Sequence, residues 1–140
     1  MPKNPRMIQW PARRLVVSGP ADRAVETIVA EFAAERFRRV SPPSENSVVL
    51  ECGSRTLPVL LASLWFVPGK IGENSKFGQV RITPSEPTAE GTALTVALVD
   101  AVSGYNVVPL VLRATERAAE VLRAAGVLVD LGPVVSAKEI

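Results

Sequence analysis

Apolar residues follow two rhythms along this chain, and the switch between them predicts its elements. In "RRLVVSG", from Arg13, Leu15 and Val17 share one side of a strand, with Arg14 and Val16 on the other. "SGP" ends it, and Pro20 suits a first helical turn. From Ala21 to about Phe37, Val25, Ile28, Val29, Phe32 and Ala33 take the three-four spacing of an amphipathic helix. Asp22 and Glu26 lie near its positive end. Arg36, Arg38 and Arg39 fall at its negative end, where cations are favoured.

"SPPSENS" then breaks the chain, and "SVVLECGS" predicts a second strand. After it comes "LPVLLASLWFVPGK", Leu57 to Lys70. Its residues Leu57 to Val67 carry no charge. "PGKIGENSKFG" reads as a polar loop with glycines. "GQVRITP" and "TALTVALVD" alternate on either side of the turn "SEPTAEG", which predicts an antiparallel hairpin. In the second of these strands Leu94, Val96 and Leu98 share one face. Ala93, Thr95, Ala97 and Val99 share the other. A second amphipathic helix is expected from about Val108 to Ala125. Arg113, Glu116, Arg117, Glu120 and Arg123 form its solvated side, and Val111, Ala114, Ala118, Val121, Leu122 and Ala125 lie opposite. Gly126 stops it. "VLVDLGPVV" suits an edge strand, because Pro133 is tolerated only near an edge.

The order strand, helix, strand, apolar segment, hairpin, helix predicts an α+β fold. It is a two-layer sandwich, an antiparallel β-sheet packed against two α-helices. At 140 residues one domain is expected, residues 13–135. An irregular arm, residues 1–12, precedes it and a short tail, residues 136–140, follows. This element order resembles small helix-grip and TATA-binding-protein-like domains, in which a curved antiparallel sheet packs on helices. The resemblance implies binding of apolar small molecules, lipids or macromolecules, or in some members catalysis.

Composition narrows the chemistry. Apolar residues make up 47% and aromatics 5%, so the core must be built from Val, Leu, Ile and Ala. Sixteen cations against 14 anions leave a net charge of +2. That balance disfavours nucleic acid, whose binders carry clustered cations. Among the sheet residues Arg81 stands amid Ala and Thr, which is not the cationic face DNA-binding relatives would need. There is no histidine, and Cys52 is the single cysteine. Zinc and iron–sulfur sites and His-dependent catalytic triads are therefore excluded, and no cofactor or metal is expected. "PGKIGENSK" fails the P-loop spacing. Nothing resembles a signal peptide, and no run reaches the roughly 18 to 20 apolar residues of a membrane-spanning helix. The expected compartment is the cytoplasm.

What remains is the uncharged run. Exposing its large side chains would forfeit roughly 1.5 to 3 kcal/mol each, so something covers them. Three covers are open: the chain's own core, an apolar ligand, or a partner. The small, uncharged sheet face of Ala93, Thr95, Ala97 and Val99 adjoins the question. The expected function is a non-catalytic binding module for an apolar small molecule or lipid, or for a protein partner that includes a second copy. Its site would comprise Leu61, Leu64, Trp65, Phe66, Thr95 and Ala97, with Lys70, Arg81 and Tyr105 as polar contacts. A ligand cavity would be lined by Leu64, Trp65 and Val96 or Ala97. The alternatives are a helix-grip-type enzyme using Tyr105, Glu51 or Arg81, and a peripheral membrane-associated domain.

Overall fold

A computed structural model of the chain describes residues 10–41, 46–53, 77–102 and 104–137. In chain order these form β1 (Pro11–Val17), α1 (Ala21–Ala34), β2 (Arg38–Arg39), β3 (Val48–Gly53), β4 (Phe77–Pro84), β5 (Thr92–Val102), α2 (Gly104–Ala124), β6 (Leu128–Leu131) and β7 (Val135–Ser136). The strands make one antiparallel sheet in the order β2-β3-β4-β5-β1-β6, with β7 also paired to β1. Both helices pack on this sheet, which gives the expected α+β two-layer arrangement.

The alternation read from the sequence sets which way each strand faces. Leu15 pairs with Leu94, and Ile82 with Val96. Cross-strand partners share a face, so Leu15, Val17, Ile82, Leu94, Val96 and Leu98 line the helix side, each fully buried or nearly so. Ala24, Ile28 and Phe32 come down from α1. Val107, Val111, Ala114, Ala118 and Leu122 come from α2. The alanines let α2 approach closely, and Gly78 extends that fit: a Cβ there would lie 2.5 Å from Val107 Cγ1.

Both helices end in the same hydrogen-bonded turn. At α1, the Phe37 N–H donates to the Phe32 carbonyl and the Arg36 N–H to that of Ala33. At α2, the Val127 N–H donates to Leu122 and the Gly126 N–H to Arg123. This is the Schellman arrangement, which requires a left-handed residue just past the helix. Gly126 (φ 76°) meets that requirement freely, whereas Arg36 (φ 68°) meets it against its side chain. Phe32 and Phe37 close the α1 cap by edge-to-face contact, with centroids 5.0 Å apart.

Several details depart from the sequence reading. Helix α1 stops at Ala34, so Arg36, Arg38 and Arg39 follow the helix rather than occupying its last turn. Arg38 and Arg39 instead form β2, an edge strand of two residues, too short to carry a period. Helix α2 starts at Gly104, earlier than its apolar stripe, and takes Pro109 inside it near the N-terminal end. As the sixth residue the proline lies in the second turn, where its missing N–H removes one bond from the start of the helical ladder. Val121 and Ala125, placed on the packing side by spacing, are exposed. Thr115 and Ala119 are buried.

The polar stripe of α2 is also more than solvated surface. Arg113 donates to Glu35 from Nε at 2.7 Å and from Nη2 at 2.8 Å. Arg117 reaches Glu31 and Glu35, both at 3.0 Å. These contacts join α1 to α2 along their outer side. The Arg113 hydrogen bonds, with help from Arg117 and against some burial, hold the Glu35 carboxyl down to about 2 from 4.5.

Candidate functional site

The sheet carries arginines on both faces. Arg13 pairs with Val96, so it points to the helix side. There its Nε donates to the Gly132 carbonyl at 2.8 Å and its guanidinium meets Glu116 of α2. Its neighbour Arg14 pairs with Thr95 and so takes the opposite face, turned away from α1 and α2. Arg81, paired with Ala97, lies on that face too. Arg14 and Arg81 are exposed, and neither side chain makes a hydrogen bond or ion pair with a described residue.

Between these two cations the face is small. Thr83 pairs with Thr95 across β4 and β5, and Arg81 pairs with Ala97 one step along. Thr83 is exposed, while Thr95 and Ala97 are half-buried. The β4–β5 ladder then slips: Gln79 opposes Asp100, and Val80 opposes Leu98. Val99 is the extra residue of that bulge, 41% exposed beside fully buried Leu98. The carboxylates of the face keep to its margins. Glu51 and Asp100 lie in one row beside Gln79, whose Nε2 donates to Glu51 at 2.9 Å. Asp130 sits on edge strand β6. The result is an uncharged strip of Thr and Ala flanked by two exposed guanidiniums without a hydrogen bond or ion pair among the described residues.

Of the residues nominated from sequence, Thr95, Ala97 and Arg81 come together here. Val96, the other nominee for a cavity wall, is buried on the helix side, which leaves Ala97 for the open face. Leu61, Leu64, Trp65, Phe66 and Lys70 lie outside the described residues, as does the side chain of Tyr105, whose backbone opens α2. Glu51 is on the face but tied to Gln79. Arg14 was missed as a site residue. Its place depends on β1 pairing with β5, and nothing local in the sequence announces that pairing.

The helix side offers less for chemistry. A narrow crevice between β1 and α2 is lined by Pro11, Arg13, Val111 and Thr115. The polar groups there are engaged: the Thr115 hydroxyl donates to the Val111 carbonyl at 2.7 Å, and Arg13 is bonded as above. Among the described residues no buried side-chain nitrogen or oxygen lacks a partner, and no three His, Cys, Asp or Glu residues gather. Among the same residues, no helix is long and apolar enough to cross a membrane. Comparison with known proteins gives no match to a family model, none to a curated protein and none to a solved structure.

Proposed function

We propose that this chain is a non-catalytic binding module, and that its working surface lies around Thr95 and Ala97, on the sheet face turned away from α1 and α2. The observation that carries this reading is Val99. Val99 is 41% exposed at the ladder slip, next to the uncharged strip of Thr95 and Ala97 and on the face of the sheet turned away from α1 and α2. Arginine is enriched in protein–protein interfaces, and Arg14 and Arg81 border the strip. The occupant is therefore a protein surface rather than a metabolite. The helix side, with its polar groups engaged, serves as scaffold.

A photo-crosslinking amino acid at position 99 tests the reading in cells producing the full chain, with the same group at exposed position 121 on α2 as the comparison. A discrete higher-mass species from position 99 and none from position 121 is expected. Its mass distinguishes a second copy from a different protein. No species from position 99, or the same species from both positions, rejects the reading.

A further inference from the structure

We propose that β2 is an edge guard: it seals the outer side of β3 and keeps the sheet from pairing there with another copy of the chain. Among the described strands, β2 and β6 end the order of the sheet. An outer strand presents a row of unpaired amides and carbonyls, a template on which a second chain can add itself. β3 would be a strong template. It sets three apolar residues in a row, Val48, Val49 and Leu50, all buried.

Side chains complete the seal that the backbone begins. Arg38 pairs with Glu51, and Arg39 with Leu50. One step on, the Val40 N–H donates to the Val49 carbonyl at 2.9 Å. An unbroken ladder would return the Val49 N–H to the Val40 carbonyl. It donates instead to the Ser41 hydroxyl at 3.1 Å. At the other end of β3, Arg38 Nη2 donates to the Gly53 carbonyl at 3.3 Å. A hydroxyl and a guanidinium satisfy these backbone groups without carrying a strand register onward.

What faces outward is a strand of two residues, both arginines and both exposed, followed by Val40 at 44% exposure. Arg39 leans toward Glu26 of α1, 3.8 Å away, and Arg38 lies opposite Glu51, so one guanidinium guards each face of the edge. Two copies meeting antiparallel at this edge would oppose arginine to arginine, and like charges directly opposite destabilise a sheet. The strand is held from α1. Three residues link the two elements, with Arg36 turning the chain and buried Phe37 packed on Phe32.

The test follows the full chain at fixed concentration by light scattering and thioflavin T fluorescence, with urea midpoints measured alongside. R38T/R39V places good strand formers at the edge and removes its charges. It is expected to lose monomer roughly threefold or more faster than the unaltered chain. R23Q/R123Q removes two charges from the helices instead and should match the unaltered chain, which separates the edge from net charge. R38E/R39E loses the same arginine contacts but keeps the edge charged, and should stay monomeric. Three results overturn the proposal: R38T/R39V stays monomeric as long as the unaltered chain, it aggregates no faster than R23Q/R123Q, or R38E/R39E aggregates with it, which would trace the loss to a weakened fold.

Discussion

Arg113 grips Glu35 with two parallel hydrogen bonds, 2.7 and 2.8 Å long, that tie the outer edge of α2 to the last turn of α1. Arg117 adds a bond to the same carboxylate and another to Glu31. A fork of this geometry fixes the relative rotation of the two helices.

That clamp is pH-dependent in a definite direction. The folded state holds Glu35 ionised down to about 2, whereas the free side chain takes its proton near 4.5. Below 4.5 the unfolded chain therefore binds a proton that the folded chain refuses, and acid favours unfolding. The contribution of Glu35 is complete above 4.5 and fades as pH falls toward 2. Glu35→Gln should lower stability by about 1 kcal/mol at neutral pH, a value kept small by solvent screening of the exposed guanidiniums. Urea unfolding of both proteins across this range should show the difference shrinking to nothing at the acid end. A difference that persists at pH near 2 would mean that Glu35 acts through packing rather than charge.

The matched helix caps predict opposite signs for two glycine exchanges. Arg36 holds a left-handed backbone with a Cβ, and its side chain makes no contact with a described residue that would repay the strain. Arg36→Gly should raise stability by about 0.5 to 1 kcal/mol. Gly126→Ala imposes the same strain on α2 and should cost about 1 kcal/mol. Thermal unfolding reads both, and a destabilised Arg36→Gly would point to a role for the arginine that the cap does not contain.

Where α2 crosses β4, the spacing leaves no room for a methyl group. Gly78→Ala sets a Cβ 2.5 Å from Val107 Cγ1, a stiff, buried β-branched side chain. The expected loss is about 1 to 3 kcal/mol by overpacking. Val107→Ala alone leaves a void and also destabilises. Combined, the two changes should cost clearly less than their sum, because each relieves the other. Additive losses in denaturant titration would show that the crossing point yields in some other way.

How far such a structure can be read from its sequence depends on the range over which each feature is written. Strand faces are local: the alternation around Leu94, Val96 and Leu98 assigns the core side and leaves Thr95 and Ala97 opposite, where the structure has them. The stripe of Ile28 and Phe32 likewise assigns α1. Pairing between distant segments is not local. Nothing near Arg14 indicates that β1 inserts between β5 and β6, so its position beside Thr95 emerges only from the register. The Arg113–Glu35 clamp is hidden for the same reason, since each residue by itself reads as helix surface. The β2 edge and the ladder slip at Val99 are one or two residues long, below the length at which a period can be recognised.

At that slip two adjacent residues take opposite faces, as the strand alternation sets them. Leu98 is fully buried beneath the helices, and Val99 is 41% exposed on the other face. Leu98→Ala should cost about 2 to 5 kcal/mol, the loss of buried methyl groups plus the void they leave. Val99→Thr keeps the β-branched shape and exchanges an exposed methyl for a hydroxyl, so stability should stay within about 0.5 kcal/mol. The binding reading adds a second expectation for the exposed position. Val99→Glu leaves the fold intact but puts a carboxylate where the binding reading has an apolar contact, so complex formation should fall while the unfolding midpoint stays. The two readouts must separate: if Val99→Glu lowers stability and binding together, Val99 belongs to the core and the proposed surface loses its apolar anchor.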